Sequence, residues 1–113
     1  MVKIYHNPRC RKSREGVAYL EAKKIEFETV LYLTTPPTPS ELTDIINKLG
    51  ISPKNLVRKS EAIWKENFKG KELSDSQIIE AMVINPKLIE RPIIIIGDKA
   101  VIGRPAEAIE EIM

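Results

Sequence analysis

Cysteine and histidine each occur once in these 113 residues, and that scarcity bounds the chemistry open to the chain. One cysteine cannot close a disulfide within the molecule, so the fold rests on its core rather than on covalent staples. One histidine beside one cysteine falls short of the four ligands a structural zinc takes, and no metal site is expected. An excess of either charge is missing too, since 18 Lys and Arg stand against 16 Asp and Glu for a net +2. So small a charge gives no basis for direct nucleic-acid binding, and any strong positive field must be local. Long apolar runs are also absent. The longest purely aliphatic stretch is Ile93–Ile96, far short of the ~20 residues of a membrane span. With no secretory leader visible at the start, a reducing cytoplasm is the expected location. Aromatics make up only 5%, but 42% hydrophobic and 30% charged residues are ordinary for a soluble globular protein. A single domain over residues 1–113 with one hydrophobic core is the expectation.

What the chain does contain is a clear alternation of elements. Val2-Lys3-Ile4-Tyr5 alternates like a strand, Asn7-Pro8 breaks it, and a helix is predicted from about Arg11 to Lys24. Strand character returns over Phe27–Leu33 and is stopped by the three prolines between Thr34 and Pro39. Thr38-Pro39-Ser40-Glu41 reads as a capping box with proline at the first helical position. Leu42, Ile45, Ile46 and Leu49 then share one helical face, and Gly50 supplies the stop. Ser52-Pro53 opens a second short helix, and Ser60 is a cap for a third carrying Trp64 and Phe68. Ser74-Asp75-Ser76-Gln77 opens a fourth, with Leu73 and Ile78 as a hydrophobic staple and Ile78, Ile79, Met82 and Val83 as its buried face. Trp64, Phe68 and the Met82 face are read as core. Ile93–Ile96, Gly97-Asp98 and Lys99–Ile102 form a hairpin whose turn glycine suits type II′. A last helix from Pro105 buries Ile109 and Ile112.

The order β-α-β, four helices, β-β-α implies an α/β, thioredoxin-like sheet with a helical insertion at about 39–90, between the second and third strands. Such a topology brings the start of the first helix near the turn before the third strand. Arg91-Pro92 occupies that turn, and a cis peptide is expected there.

Cys10 therefore stands where a strand hands over to a helix. The first turn of a helix has unpaired N–H groups and a partial positive charge, so a thiol placed there ionises more readily. Four of the six residues from Arg9 to Arg14 are basic, which acts in the same direction and makes a poor lining for a buried apolar thiol. Cys10 is the candidate nucleophile. Position 13 is serine, so no second cysteine can resolve an oxidised Cys10, and any redox cycle needs an external thiol. His6 is a candidate to orient or ionise the thiol, and Ser13 to donate a hydrogen bond to it. Arg58, Arg91 and Arg104 each adjoin a loop or breaker. A guanidinium matches a tetrahedral oxyanion, and several of them at a helix N-terminus would hold one above the thiolate.

Tyr5-His6-Asn7-Pro8-x-Cys10-x-x-Ser13-Arg14, Leu31-Tyr32-Leu33 before Pro36-Pro37, Leu49-Gly50-Ile51, Val57-Arg58-Lys59, Ile89-x-Arg91-Pro92-Ile93 and Gly103-Arg104-Pro105 together resemble the glutaredoxin-coupled arsenate reductases. The likeness spans the chain and lies nearest the reductase-like branch. It implies a thioredoxin-like fold, Cys10 as the catalytic residue, and Arg58, Arg91 and Arg104 on the arsenate oxygens. His6, Ser13 and Arg14 would support the thiolate. It also implies arsenate or a similar oxyanion as substrate, no bound cofactor, glutathione as co-substrate and glutaredoxin or another thiol donor as partner. A monomer is compatible with the size. One departure stands out: Arg11-Lys12 follow the cysteine where the best-studied type has glycine and threonine. The rival expectations are a non-enzymatic thioredoxin-fold regulator binding the transcription machinery, or a thiol oxidoreductase with a different substrate.

Overall fold

The computed structural model describes Val2–Met113, which divide between two compact units, residues up to Thr35 together with Arg91–Met113, and Pro36–Glu90. The first unit is built on four strands, β1 (Val2–Tyr5), β2 (Phe27–Val30), β3 (Ile93–Ile96) and β4 (Lys99–Ile102), in the spatial order β2-β1-β3-β4. β1 and β2 run parallel, with Val2 opposite Phe27 and Tyr5 opposite Val30, joined by helix α1 (Arg11–Ala22). β3 runs antiparallel to β1 and pairs Tyr5 with Ile93, and β4 returns along β3. Gly97 at φ 62° makes the first turn residue of that hairpin, as expected for a position that favours glycine. This is the thioredoxin-like arrangement the element order implies, with helices inserted between β2 and β3.

Packing in this unit centres on Val2, Ile4, Leu20, Ile94 and Ile109, all buried, with Val17, Phe27 and Val101 against them. β1 supplies alternate residues to this core, whereas Ile93, Ile94 and Ile95 of the middle strand are all buried. Two glycines allow the tightest contacts. A Cβ on Gly16 would lie 2.9 Å from Cγ of Pro92, and one on Gly103 would lie 2.7 Å from Cδ1 of Ile94 and 3.2 Å from Cγ of Pro92. The Arg91-Pro92 turn is thereby wedged between α1 and the end of β4. Its peptide bond is cis, as expected, and so is Arg104-Pro105. Tyr19 on α1 and Lys23 at its C-cap both engage Glu110, tying the C-terminal segment to that helix.

The second unit is helical: α2 (Pro39–Leu49), α3 (Ala62–Asn67) and α4 (Asp75–Ile84), with 3-10 turns at Pro53–Asn55 and Pro86–Leu88. The Thr38/Glu41 and Ser74/Gln77 capping boxes are both formed, and Gly50 ends α2 in the left-handed conformation at φ 68°. α4 contacts α2 and both 3-10 turns. A bridge between Val57 and Ile89, with Arg58 N–H donating to Leu88 O at 2.7 Å, ties the middle of this unit to its end.

Several expectations need correction. β2 stops at Val30 rather than Leu33, because β1 turns away after Tyr5 and leaves Leu31–Leu33 nothing to pair with; Tyr32 is buried and both leucines stay exposed. α1 ends at Ala22. Lys24 takes a left-handed conformation at φ 58° while its N–H bonds Glu21 O and that of Ile25 bonds Leu20 O, a Schellman close without glycine. Glu61, not Ser60, is the N-cap of α3, and that helix buries nothing. Trp64 and Phe68 stack on each other at 5.4 Å and are only half-buried, so they are not core. On α4 the buried residues are Ile78, Ala81 and Met82, with Ile79 and Val83 half-exposed. The last helix, Ala106–Ile112, is of the 3-10 type; Ile109 is buried and Ile112 half-buried. Among the described residues, no helix is long and apolar enough to cross a membrane.

Candidate active site

The loop His6–Arg9 carries the chain from the C-terminal end of β1 to the N-terminus of α1. Asn7 organises it. Its carbonyl accepts from Cys10 N–H at 3.0 Å and its side-chain oxygen from Arg9 N–H at 3.0 Å. Cys10 takes the N-cap position with extended backbone (φ −95°, ψ 122°), and its carbonyl accepts the first helical bond from Arg14 at 3.0 Å. No acidic residue occupies the first turn of α1, so nothing neutralises the helix end on which the thiol sits.

Burial pushes the half-buried Cys10 thiol up, but the groups around it pull it down further, and the net shift is to a lower pKa than a free thiol. The Ser13 backbone N–H contributes most to that lowering. A hydrogen bond and charge from the Arg91 guanidinium come next, followed by the Lys12 backbone N–H. No side-chain cap bond closes this helix end. Arg91 thus reaches Cys10 from the turn before β3, and its Nε is buried with no hydrogen-bond partner. Arg104, from the turn after β4, directs its guanidinium at the Arg91 carbonyl, 3.4 Å away. Arg91 is therefore at Cys10, as the topology implies, and Arg104 lies against the main chain of Arg91.

The supporting residues work differently from expectation. Ser13 is fully buried and its hydroxyl does not serve the thiol. That oxygen accepts from Asn7 N–H at 2.9 Å and lies 2.6 Å from His6 Nδ1, so only the Ser13 main chain faces sulfur. With Asn7 already donating to the oxygen, the hydroxyl proton is free to go to an unprotonated Nδ1. Burial and the nearby Arg14 charge lower the His6 pKa, which favours that neutral form. Arg14 donates to Pro8 O at 2.9 Å and so clamps the loop. These three residues hold the loop in shape, and the thiol is addressed by backbone and by Arg91.

Arg58 belongs to the helical unit, where it pairs with Glu61 at 3.0 Å and Glu90 at 3.4 Å. Arg11 and Lys12 have their side chains drawn back along α1 by Glu15, at 3.4 and 3.5 Å. Two bulky cations thereby follow the cysteine without crowding it, and the i,i+4 and i,i+3 spacing to Glu15 was the available signal. Gly16, which lets Pro92 approach, went unread because a helix-interior glycine carries no mark of its contact. The loop also borders a groove of about 330 Å³ lined by His6, Asn7, Pro8, Arg9, Leu31, Leu33 and Thr34. Among the described residues, no cluster of three or more His, Cys, Asp or Glu side chains is arranged to hold a metal ion.

Comparison with known proteins identifies the family. The chain is 49% identical, over 99% of its length and 96% of the relative's, to the uncharacterized protein YfgD of Escherichia coli K12. It is 43% identical to an arsenate reductase of Neisseria meningitidis, covering 99% of this chain and 97% of that one. The solved structure of an arsenate reductase from Vibrio cholerae superposes with a TM-score of 0.95 at 42% identity, over 99% and 97% of the two chains. The sequence profile of the ArsC family matches residues 5–112, and the chain belongs to that family.

Proposed function

We propose that the protein reduces arsenate to arsenite through a covalent adduct on Cys10, with external thiols as reductant. The observation that carries this reading is the contact of the Arg91 guanidinium and the α1 N-terminal N–H groups with one ionisable sulfur. Attack of the Cys10 thiolate on As(V) forms an S–As bond and releases one arsenate oxygen as water. A first external thiol replaces a second oxygen, again as water. A second external thiol then attacks the sulfur of the first, forming a disulfide while the electron pair passes to arsenic, which becomes As(III). Water finally cleaves the Cys10–arsenic bond and arsenite leaves. The sum is one arsenate and two thiols giving arsenite, a disulfide and water. Glutathione and glutaredoxin fit the two thiol roles, since the chain has no second cysteine. A reducing cytoplasm would maintain both.

Arg91 and Arg104 would neutralise charge on the arsenate oxygens, with the buried Arg91 Nε as an unspent donor. Arg58 enters this reading from the family pattern alone, and its bonds to Glu61 and Glu90 are what it would share with an anion. Arsenate-dependent NADPH oxidation, coupled through glutathione, glutaredoxin and glutathione reductase, tests the reading. Turnover is expected for the wild type and background alone for Cys10→Ser. A folded wild type with a working coupling system and no arsenate-dependent rate would overturn it.

A further inference from the structure

The first turn of α1 carries charge of the sign that a helix N-terminus disfavours. α2 and α4 place Glu41 and Asp75 there, whereas α1 begins with Arg11 and Lys12 and has no acid. One carboxylate, a turn further along, holds both cations. Glu15 Oε2 lies 3.4 Å from Arg11 Nε and Glu15 Oε1 lies 3.5 Å from Lys12 Nζ, so each oxygen takes one cation. Cation before acid is the weaker orientation for such pairs on a helix, so helix stability does not account for the arrangement. The contacts are also open to water, with the Arg11 side chain 85% exposed, that of Lys12 49% and that of Glu15 39%. Pairs of this kind are weak, and a competing anion can draw either cation away. The side-chain charge that favours the Cys10 thiolate is that of Arg91, while Lys12 acts on the sulfur through its backbone N–H.

We infer that Glu15 is a positioning residue for anion capture at Cys10. It holds Arg11 and Lys12 along the side of α1 and so sets how strongly the open helix end attracts a small oxyanion. The inference rests on the reading of Cys10 as a nucleophile toward oxyanions. It deepens that reading by giving control of the local field to a residue that touches neither the sulfur nor the substrate. The consequence is one of selectivity. Phosphate shares the tetrahedral shape and charge of arsenate, so bare positive charge tightens the binding of both alike and favours neither reaction. With its two nearest cations engaged, the helix end holds an unreactive phosphate less firmly. Discrimination is then left to the chemistry at the central atom.

The test needs neither arsenate nor turnover. Iodoacetamide and iodoacetate both alkylate the Cys10 thiolate, forming a thioether and releasing iodide, but only iodoacetate is an anion. The ratio of their rates on one protein cancels thiol ionisation and reads the local field. At low ionic strength Glu15→Gln is expected to raise the iodoacetate-to-iodoacetamide ratio about threefold, the scale of an exposed charge contact. The concentration of inorganic phosphate that half-protects Cys10 from iodoacetamide should fall by about as much. Both gains should shrink toward unity at roughly 1 M salt. In an Arg11→Gln/Lys12→Gln background only the loss of the Glu15 charge itself remains, and the gain should drop to about 1.5-fold. Glu21→Gln, exposed near the other end of α1, should leave the ratio where it is. Equal gains with and without the two cations, or no gain from Glu15→Gln, would overturn the inference even if arsenate turnover is found. A gain that depends on Arg11 and Lys12 upholds it even if arsenate turnover is absent.

Discussion

Helices α1 and α2 begin in opposite ways. α2 has a complete capping box, proline at its first position and Glu41 in its first turn, so its N-terminal N–H groups and positive end are satisfied by its own sequence. α4 repeats the device with Ser74, Gln77 and Asp75. α1 has none of it. Its N-cap is Cys10 with no closed side-chain bond, its first turn has no acid, and its surplus of positive potential falls on a thiol. A cap at α1 would contribute about 1 kcal/mol of stability, and it would occupy the donors that lower the thiol and, in the proposed function, receive an oxyanion. The helical unit satisfies its helix ends from its own sequence, and the sheet unit leaves one open beside Cys10.

The largest way to break that contrast is through the contact that holds Arg91 in place. Gly16→Ala on α1 puts a methyl 2.9 Å from the ring of buried Pro92. Alanine gains about 1 kcal/mol of helix propensity, but overpacking a buried contact typically costs about 1–3 kcal/mol. Because the Pro92 ring is rigid, net destabilisation is expected. The displaced turn should also move Arg91 away from Cys10, so iodoacetamide should titrate a higher Cys10 pKa. Gly50→Ala, at the end of α2, has open space around it and only its φ of 68° to oppose the substitution. That strain costs about 1–2 kcal/mol, and the alkylation profile should not move. Denaturant midpoints and pH-dependent alkylation of both variants check the distinction. Identical alkylation profiles would show that Pro92 does not set the position of Arg91.

A smaller pair sharpens it. Thr38→Ala removes the α2 cap and should cost about 1 kcal/mol with Cys10 reactivity unchanged. Ser13→Ala deletes a hydroxyl that joins His6 to the Asn7 N–H. Leaving those partners unsatisfied should cost about 1–3 kcal/mol and loosen the loop under the thiol, so alkylation at fixed pH should slow. If both variants lose only stability, Ser13 is a cap like any other.

What was legible in the sequence follows the same division. The capping boxes of α2 and α4 and the Gly50 stop could be read directly, because each is a local arrangement whose partners lie within four residues. The thioredoxin-like order was legible for a related reason: strands, breakers and crossover helix follow one another in the chain. The end of β2 was not, since Leu31–Leu33 have strand-forming side chains and only the departure of β1 removes their partner. The close of α1 on Lys24 offered no glycine to mark it. At the site, the approach of Arg91 to Cys10 was legible from the topology, while the Ser13 hydroxyl has partners other than the thiol. Its orientation depends on the Asn7 N–H and on His6, six and seven residues away across a turn.

The least of these effects concerns the only imidazole. Burial, followed by the Arg14 charge, holds the folded His6 below its usual pKa, which for an unperturbed histidine is about 6.5. The unfolded chain therefore takes up a proton first as pH falls. Stability from the neutral form is complete above about 6.5 and is lost as pH drops through the lower folded value. Protonation has a structural consequence as well, because Nδ1–H and the Asn7 N–H would then both point at the Ser13 oxygen, and the hydroxyl proton would lose its acceptor. His6→Asn places an amide oxygen near the Nδ1 position and cannot titrate. Denaturant midpoints from pH 7.5 downward should fall more steeply for wild type than for His6→Asn across the window below about 6.5. Carboxylates that titrate lower down are common to both proteins and cancel in the difference. Superimposable curves would mean that the imidazole is equally solvated in the folded and unfolded chains, and that the loop beneath Cys10 is held by Asn7 and Arg14 alone.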